Sequence, residues 1–94
     1  MYDLIIIGAG PAGITAAIYA VRKGIESLII TRDIGGQTAL SGDVENYTGY
    51  QFISGPELVL KFEEHLRKFN IALKENEAAR EIVKAGGTIQ VKTD

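Results

Sequence analysis

The sequence has no cysteine and no tryptophan, one histidine, one methionine and two prolines among its 94 residues. The missing cysteines exclude a disulfide, a thiolate metal site and a redox dithiol within these residues. A single histidine, His65, set among charged neighbours, reads as a surface imidazole, because metal sites need several ligands. Net charge is only −2, so nothing here draws the chain to nucleic acid or to an acidic membrane surface. No apolar run approaches the ~18 residues that a membrane span needs. The apolar N-terminus is broken by Gly8, Gly10 and Pro11 and has neither a basic leader nor a cleavage site, unlike a signal peptide. A cytoplasmic location is the expectation.

What is present begins at Leu4-Ile5-Ile6-Ile7. Four branched apolar residues in a row predict a strand over residues 2–7, buried on both faces as in a parallel sheet. Helical spacing follows over 11–23, where Ile14, Ala17, Ile18 and Val21 form one stripe. Gly24 is placed to cap it. Between strand and helix lies G-x-G-x-x-G, written here by Gly8, Gly10 and Gly13. In that context the motif predicts a dinucleotide site. Gly8 allows a tight exit where a Cβ would clash, Gly10 lets backbone approach a pyrophosphate, and Gly13 lets helix pack on strand. Pro11 suits the first helical position, and the free N–H groups of the first turn face an anion.

Residues 28–30 predict a second buried strand, parallel to the first. The stretch 31–55 shows no sustained period and reads as a long functional loop, with Leu40, Val44, Tyr47, Tyr50 and Phe52 to bury. Ser54 and Glu57 have capping-box spacing, with Glu57 reaching back. A second helix runs from there to about residue 69 on a stripe of Leu58, Phe62, Leu66 and Phe69. A short strand over 71–74 follows, and residues 79–84 and 88–93 pair as a hairpin across Gly86-Gly87. The fold class is therefore α/β, a Rossmann-like parallel sheet with crossover helices and a C-terminal β-hairpin. Such a sheet normally needs two βαβ halves, and this chain holds little more than one. A fragment is expected, or a segment whose core needs more chain or a partner.

The usual ribose-binding acid stands about 20 residues beyond the glycines, at the end of the second strand. Thr31 occupies that slot and Asp33 lies just past it, so either residue is a candidate for the ribose. Arg32 between them can pair with a phosphate or stand free in solvent. Gly35-Gly36-Gln37 offers a second close backbone approach, with an amide that both donates and accepts. Asn46 brings another amide beside Tyr47, suited to the polar edge of a flavin ring.

The ordered set of Gly8 to Gly13, then Ala16-Ala17-Ile18-Tyr19-Ala20, Gly35-Gly36-Gln37, Val44-Glu45-Asn46-Tyr47 and Ser54 to Leu58, resembles the N-terminal segment of low-molecular-weight thioredoxin reductases. It is similar as well to the flavoprotein subunit of alkyl hydroperoxide reductase and to thioredoxin-reductase-like ferredoxin/flavodoxin reductases. The resemblance spans nearly the whole chain. Thr48 departs from it, where thioredoxin reductases usually carry proline. The resemblance implies FAD at the first glycine motif. It sets Ala9, Gly10, Pro11 and Ala12 along the pyrophosphate, with Gly8 and Gly13 also in the cofactor site, and Thr31, Arg32, Asp33, Gly35, Gly36 and Gln37 along the ribose, phosphates and ribitol. Asn46 falls beside the flavin, and Ala78 offers its backbone to the adenine. No catalytic residue and no metal ligand is implied within residues 1–94, which form the N-terminal part of an FAD-binding domain. The NADPH domain with its C-x-x-C, and a C-terminal FAD segment, lie outside them. The intact enzyme would be a homodimer passing electrons from NADPH through FAD to a thioredoxin-like disulfide. Two alternatives stand beside this: transfer to a ferredoxin or flavodoxin, and a nucleotide-binding or interaction module without redox work.

Overall fold

The structure, a computed structural model, describes all residues from 1 to 94. Strand β1 (Leu4–Ala9) leads through one glycine corner into helix α1 (Pro11–Arg22), and β2 (Ser27–Ile34) returns beside β1. A 3-10 turn (Gly36–Leu40) and a two-residue ladder, β3 (Asp43–Val44) with β4 (Ile53–Ser54), precede helix α2 (Gly55–Arg67). Then come β5 (Ala72–Lys74) and a hairpin of β6 (Ala79–Ala85) and β7 (Thr88–Thr93).

The sheet is parallel in the order β1-β2-β5, with Ile6 opposite Ile29 and Ile29 opposite Leu73. This is the α/β architecture expected from alternating strand and helix periods. Ala9, Ile14, Ala17, Ile18, Ile29 and Leu66 form the core, which puts both helices on one face of the sheet. Alanine at position 17 is what lets α1 lie close, and it is fully buried. Ser54 caps α2: its Oγ accepts the Glu57 N–H at 3.2 Å. Glu57 reaches back to the side chain of the N-cap and not to its backbone N–H: its carboxylate accepts the Ser54 hydroxyl at 2.9 Å.

Four expectations need correction. First, β1 is not buried on both faces: Leu4 and Ile7 are 37% and 49% exposed. It is an edge strand, and a groove of about 590 Å³ separates Ile5 and Ile7 from Ile82, Ile89 and Val91 of the hairpin. The apolar side of the hairpin is correspondingly open, with Ile82 and Ile89 both exposed. Second, β2 runs on to Ile34, so the irregular stretch begins later and includes the 3-10 turn. Third, its apolar residues do not all bury, since Leu40, Tyr47 and Phe52 remain exposed. Fourth, a Cβ at Gly8 would meet no atom within 4 Å; its φ of +100° is what demands glycine there.

Candidate functional site

Two glycine turns, far apart in sequence, meet at the C-terminal end of the sheet. The Gly35 N–H donates to the Ala9 carbonyl oxygen at 2.7 Å, fastening the end of β2 to the end of β1. Gly36 then faces Gly10: a Cβ on Gly36 would lie 3.7 Å from the Gly10 Cα, and one on Gly10 would lie 3.9 Å from the Gly35 carbonyl oxygen. Gly35 itself is buried at φ +104°, and a Cβ there would come within 2.6 Å of Val59 on α2. Gly13 packs so tightly that its Cβ would run into the Gly8 carbonyl oxygen. That is the helix-on-strand packing expected of the third glycine in the motif.

This corner opens on the first turn of α1. Gly10 is the N-cap and supplies no capping side chain, Pro11 is the first helical residue, and no acidic residue stands in the first turn. The first helical hydrogen bond runs from the Ile14 N–H to the Gly10 carbonyl oxygen at 3.0 Å. The N–H groups of Ala12 and Gly13 have no acceptor in the chain. Pro11 and Ala12 are exposed, and Gly10 and Gly13 are half-buried. Uncapped donors at a helix start, beside backbone with no side chains, suit an anionic group that needs close backbone approach.

The remaining candidates are placed less evenly. Thr31 is buried, and its hydroxyl donates to the Asp33 carbonyl oxygen. The Asp33 side chain is exposed, so of the two it is the residue open to a ligand hydroxyl. Arg32 is exposed but not free: its guanidinium pairs with Asp94 at 2.9 Å. Gln37 is exposed on the 3-10 turn, and Asn46 is exposed between β3 and β4. Ala78 stands before the hairpin, where its N–H donates to Asp94 Oδ1 at 2.9 Å and its carbonyl accepts the Asp94 N–H at 3.1 Å. The Ala78 N–H, with Arg32 and Arg80 close by, holds the Asp94 carboxyl below the usual aspartate range.

Sequence reasoning missed two contributors. Val59 lies at helical spacing from Gly55, Phe62 and Leu66, and that second reading of the α2 stripe would have found it. Asp94 had no local signal, since its partners lie across the hairpin and on β2.

Residues 3–89 match the model of a family described as FAD dependent oxidoreductase. The chain belongs to that family. It is 57% identical over 70 residues to a thioredoxin reductase from Bacillus subtilis (strain 168), a match covering 73% of this chain and 22% of the relative. Its fold superposes on the crystal structure of thioredoxin reductase from Streptococcus pyogenes MGAS5005 with a TM-score of 0.92 at 45% identity. That match covers 100% of this chain and 31% of the other. Against thioredoxin reductase from Lactococcus lactis the TM-score is 0.94 at 37% identity, again over 100% of this chain and 31% of the other. The chain thus spans between about a fifth and a third of the relatives it matches. Membership agrees with FAD as the cofactor and with flavin oxidoreductase as the class. No helix is long and apolar enough to cross a membrane.

Proposed function

We propose that residues 1–94 are the N-terminal part of the FAD-binding domain of a thioredoxin-reductase-like enzyme, and that the glycine corner holds the FAD diphosphate. The observation that carries this reading is the convergence of Gly10 with Gly35-Gly36 in front of the unpaired Ala12 and Gly13 N–H groups. Each of those donors can bond a phosphate oxygen, and the dipole of α1 adds about 0.3–1 kcal/mol for an anion at its start. Gly10 keeps the approach clear of side chains, and Gly35 and Gly13 set the spacing of the walls through their own tight packing. Asp33 is the residue for the ribose hydroxyls, while Gln37 and Asn46 supply amides for the ribitol and the flavin edge.

Bound FAD would accept a hydride from a nicotinamide cofactor and pass electrons on. These residues bind and orient the cofactor; none of them is assigned acid–base work. The sequence has no cysteine, so a disulfide step would use sulfur from elsewhere. NADPH as donor, a thioredoxin-like acceptor, a homodimer and a cytoplasmic setting belong to the same proposal, supported by similarity to thioredoxin reductases. The test is flavin absorbance of the full-length protein as purified and after incubation with FAD. Bound flavin in stoichiometric amount is the expected result. A folded protein that stays colourless and takes up no FAD overturns the proposal.

A further inference from the structure

Two polar side chains are buried in this chain, Ser27 and Thr31, one at each end of the apolar run of β2. Each hydroxyl donates to nearby backbone, Ser27 to the Ile25 carbonyl oxygen at 3.2 Å and Thr31 to the Asp33 carbonyl oxygen. Their settings differ. Ser27 stands opposite Leu4, where β1 and β2 run in even register, whereas Thr31 stands where that register breaks between Ile7 and Ala9. An even register would set Arg32 opposite Ala9 and carry Gly35 two residues, roughly 7 Å, beyond its present place. The Gly35 N–H would then miss the Ala9 carbonyl oxygen that it holds at 2.7 Å, and Gly36 would miss Gly10. The bulge itself is tied at three carbonyls. Those of Thr31 and Arg32 accept the N–H groups of Glu77 and Asn76, and that of Asp33 accepts the Thr31 hydroxyl. A side chain of the bulge thus supplies its one internal tie.

We propose that Thr31 is a positioning residue for the cofactor: its buried hydroxyl fixes the bulge of β2, and the bulge sets Gly35-Gly36 against Gly10. This rests on the FAD reading above and gives Thr31 a role that needs no contact with the ligand. Without the hydroxyl the bulge keeps its two bonds to residues 76 and 77 and loses the one that draws Asp33 back toward Thr31. The second wall of the corner then loosens while the sheet below it stays paired. Valine has the shape and branching of threonine and no donor, so Thr31→Val leaves the Asp33 carbonyl without that partner and little else changed. Serine keeps the donor.

The experiment uses the full-length protein and measures FAD dissociation constants, with hydrogen exchange at Gly35 read in the cofactor-free state. Thr31→Val should weaken FAD about 10-fold and speed Gly35 exchange by a similar factor, while Ile29 and Ile30 exchange at the wild-type rate. Thr31→Ser should bind FAD as the wild type does. Ser27→Ala removes a hydroxyl bond of the same kind from the other end of β2, so it should lower the urea midpoint and leave FAD affinity unchanged. If Thr31→Val misfolds by circular dichroism, Thr31→Ala carries the same expectation. Wild-type FAD affinity or an unchanged Gly35 exchange rate in the folded Thr31 variant overturns the proposal and leaves the flavin reading standing. An equal loss of affinity in Ser27→Ala, or a Thr31→Ser protein as weak as Thr31→Val, does the same. A wild-type protein that binds no FAD overturns the flavin reading and this inference with it.

Discussion

The Gly35 N–H lies 2.7 Å from the Ala9 carbonyl oxygen, and this bond joins the ends of two neighbouring parallel strands just where both turn away from the sheet. It breaks the even β1–β2 register: Ile7 pairs with Ile30, yet Ala9 pairs with Ile34. Three residues of β2, Thr31, Arg32 and Asp33, thus stand against the single residue Gly8 of β1, two more than an even register allows. The irregularity is what carries the second glycine turn over to the first.

A substitution at Gly10 separates fold from ligand. A Cβ there would lie 3.9 Å from its nearest neighbour, so the chain itself has room for it. Gly10→Val should leave the far-ultraviolet circular dichroism spectrum unchanged and weaken FAD binding by about 100-fold or more, the loss of two charge-assisted hydrogen bonds. Wild-type affinity in a folded Gly10→Val protein would place the diphosphate elsewhere.

Gly35 behaves in the opposite way, because its Cβ would strike Val59 at 2.6 Å and its φ is positive. Gly35→Ala should cost about 1–3 kcal/mol from overpacking, with left-handed strain added, read as a lower urea midpoint. Pairing it with Val59→Ala relieves the clash and not the strain. The double variant should therefore lose less stability than the two single losses added together. Strict additivity would show that the two residues do not touch.

The two glycine motifs were legible in the sequence, and so were the elements that carry them. Their contact was not. G-x-G-x-x-G is a local pattern, whereas the approach of Gly36 to Gly10 depends on how far β2 extends and on the packing of Val59. Leu4 to Ile7 reads as fully buried because apolar runs report the surroundings a strand is suited to; here the helices cover only the face that Ile6 points to, and Ile5 and Ile7 face an open groove. Gly8 was correctly marked for the wrong reason, since one-letter spacing does not distinguish a positive φ from a steric clash. Asp94 was invisible because a side chain that reaches across a hairpin leaves no periodic trace.

The start of α2 offers a test away from the ligand corner. Ser54 Oγ accepts the Glu57 N–H and donates to the Glu57 carboxylate, and Gly55 beneath it is packed against the Thr38 and Ser41 carbonyl oxygens. Ser54→Ala should cost about 1 kcal/mol in urea denaturation. Ser54→Asp restores an acceptor for the N–H but sets a carboxylate against Glu57, so it should recover only part of the loss.

Asp94 also sets a pH dependence whose sign is fixed by its direction of shift. Its carboxyl lies below the usual aspartate value in the folded protein, first through the Ala78 N–H and then through Arg32 and Arg80. A group depressed on folding contributes its stability above the unfolded value, near pH 4, and loses it as pH falls through the folded value. The contribution is thus complete at neutral pH and disappears under stronger acid. Asp94→Asn should flatten the acid limb of stability below about pH 4 and leave the slope between pH 6 and 8 unaltered. Thermal melts of both proteins across that range make the measurement. An acid limb identical in the two would show that the Ala78–Asp94 contact does not form in solution.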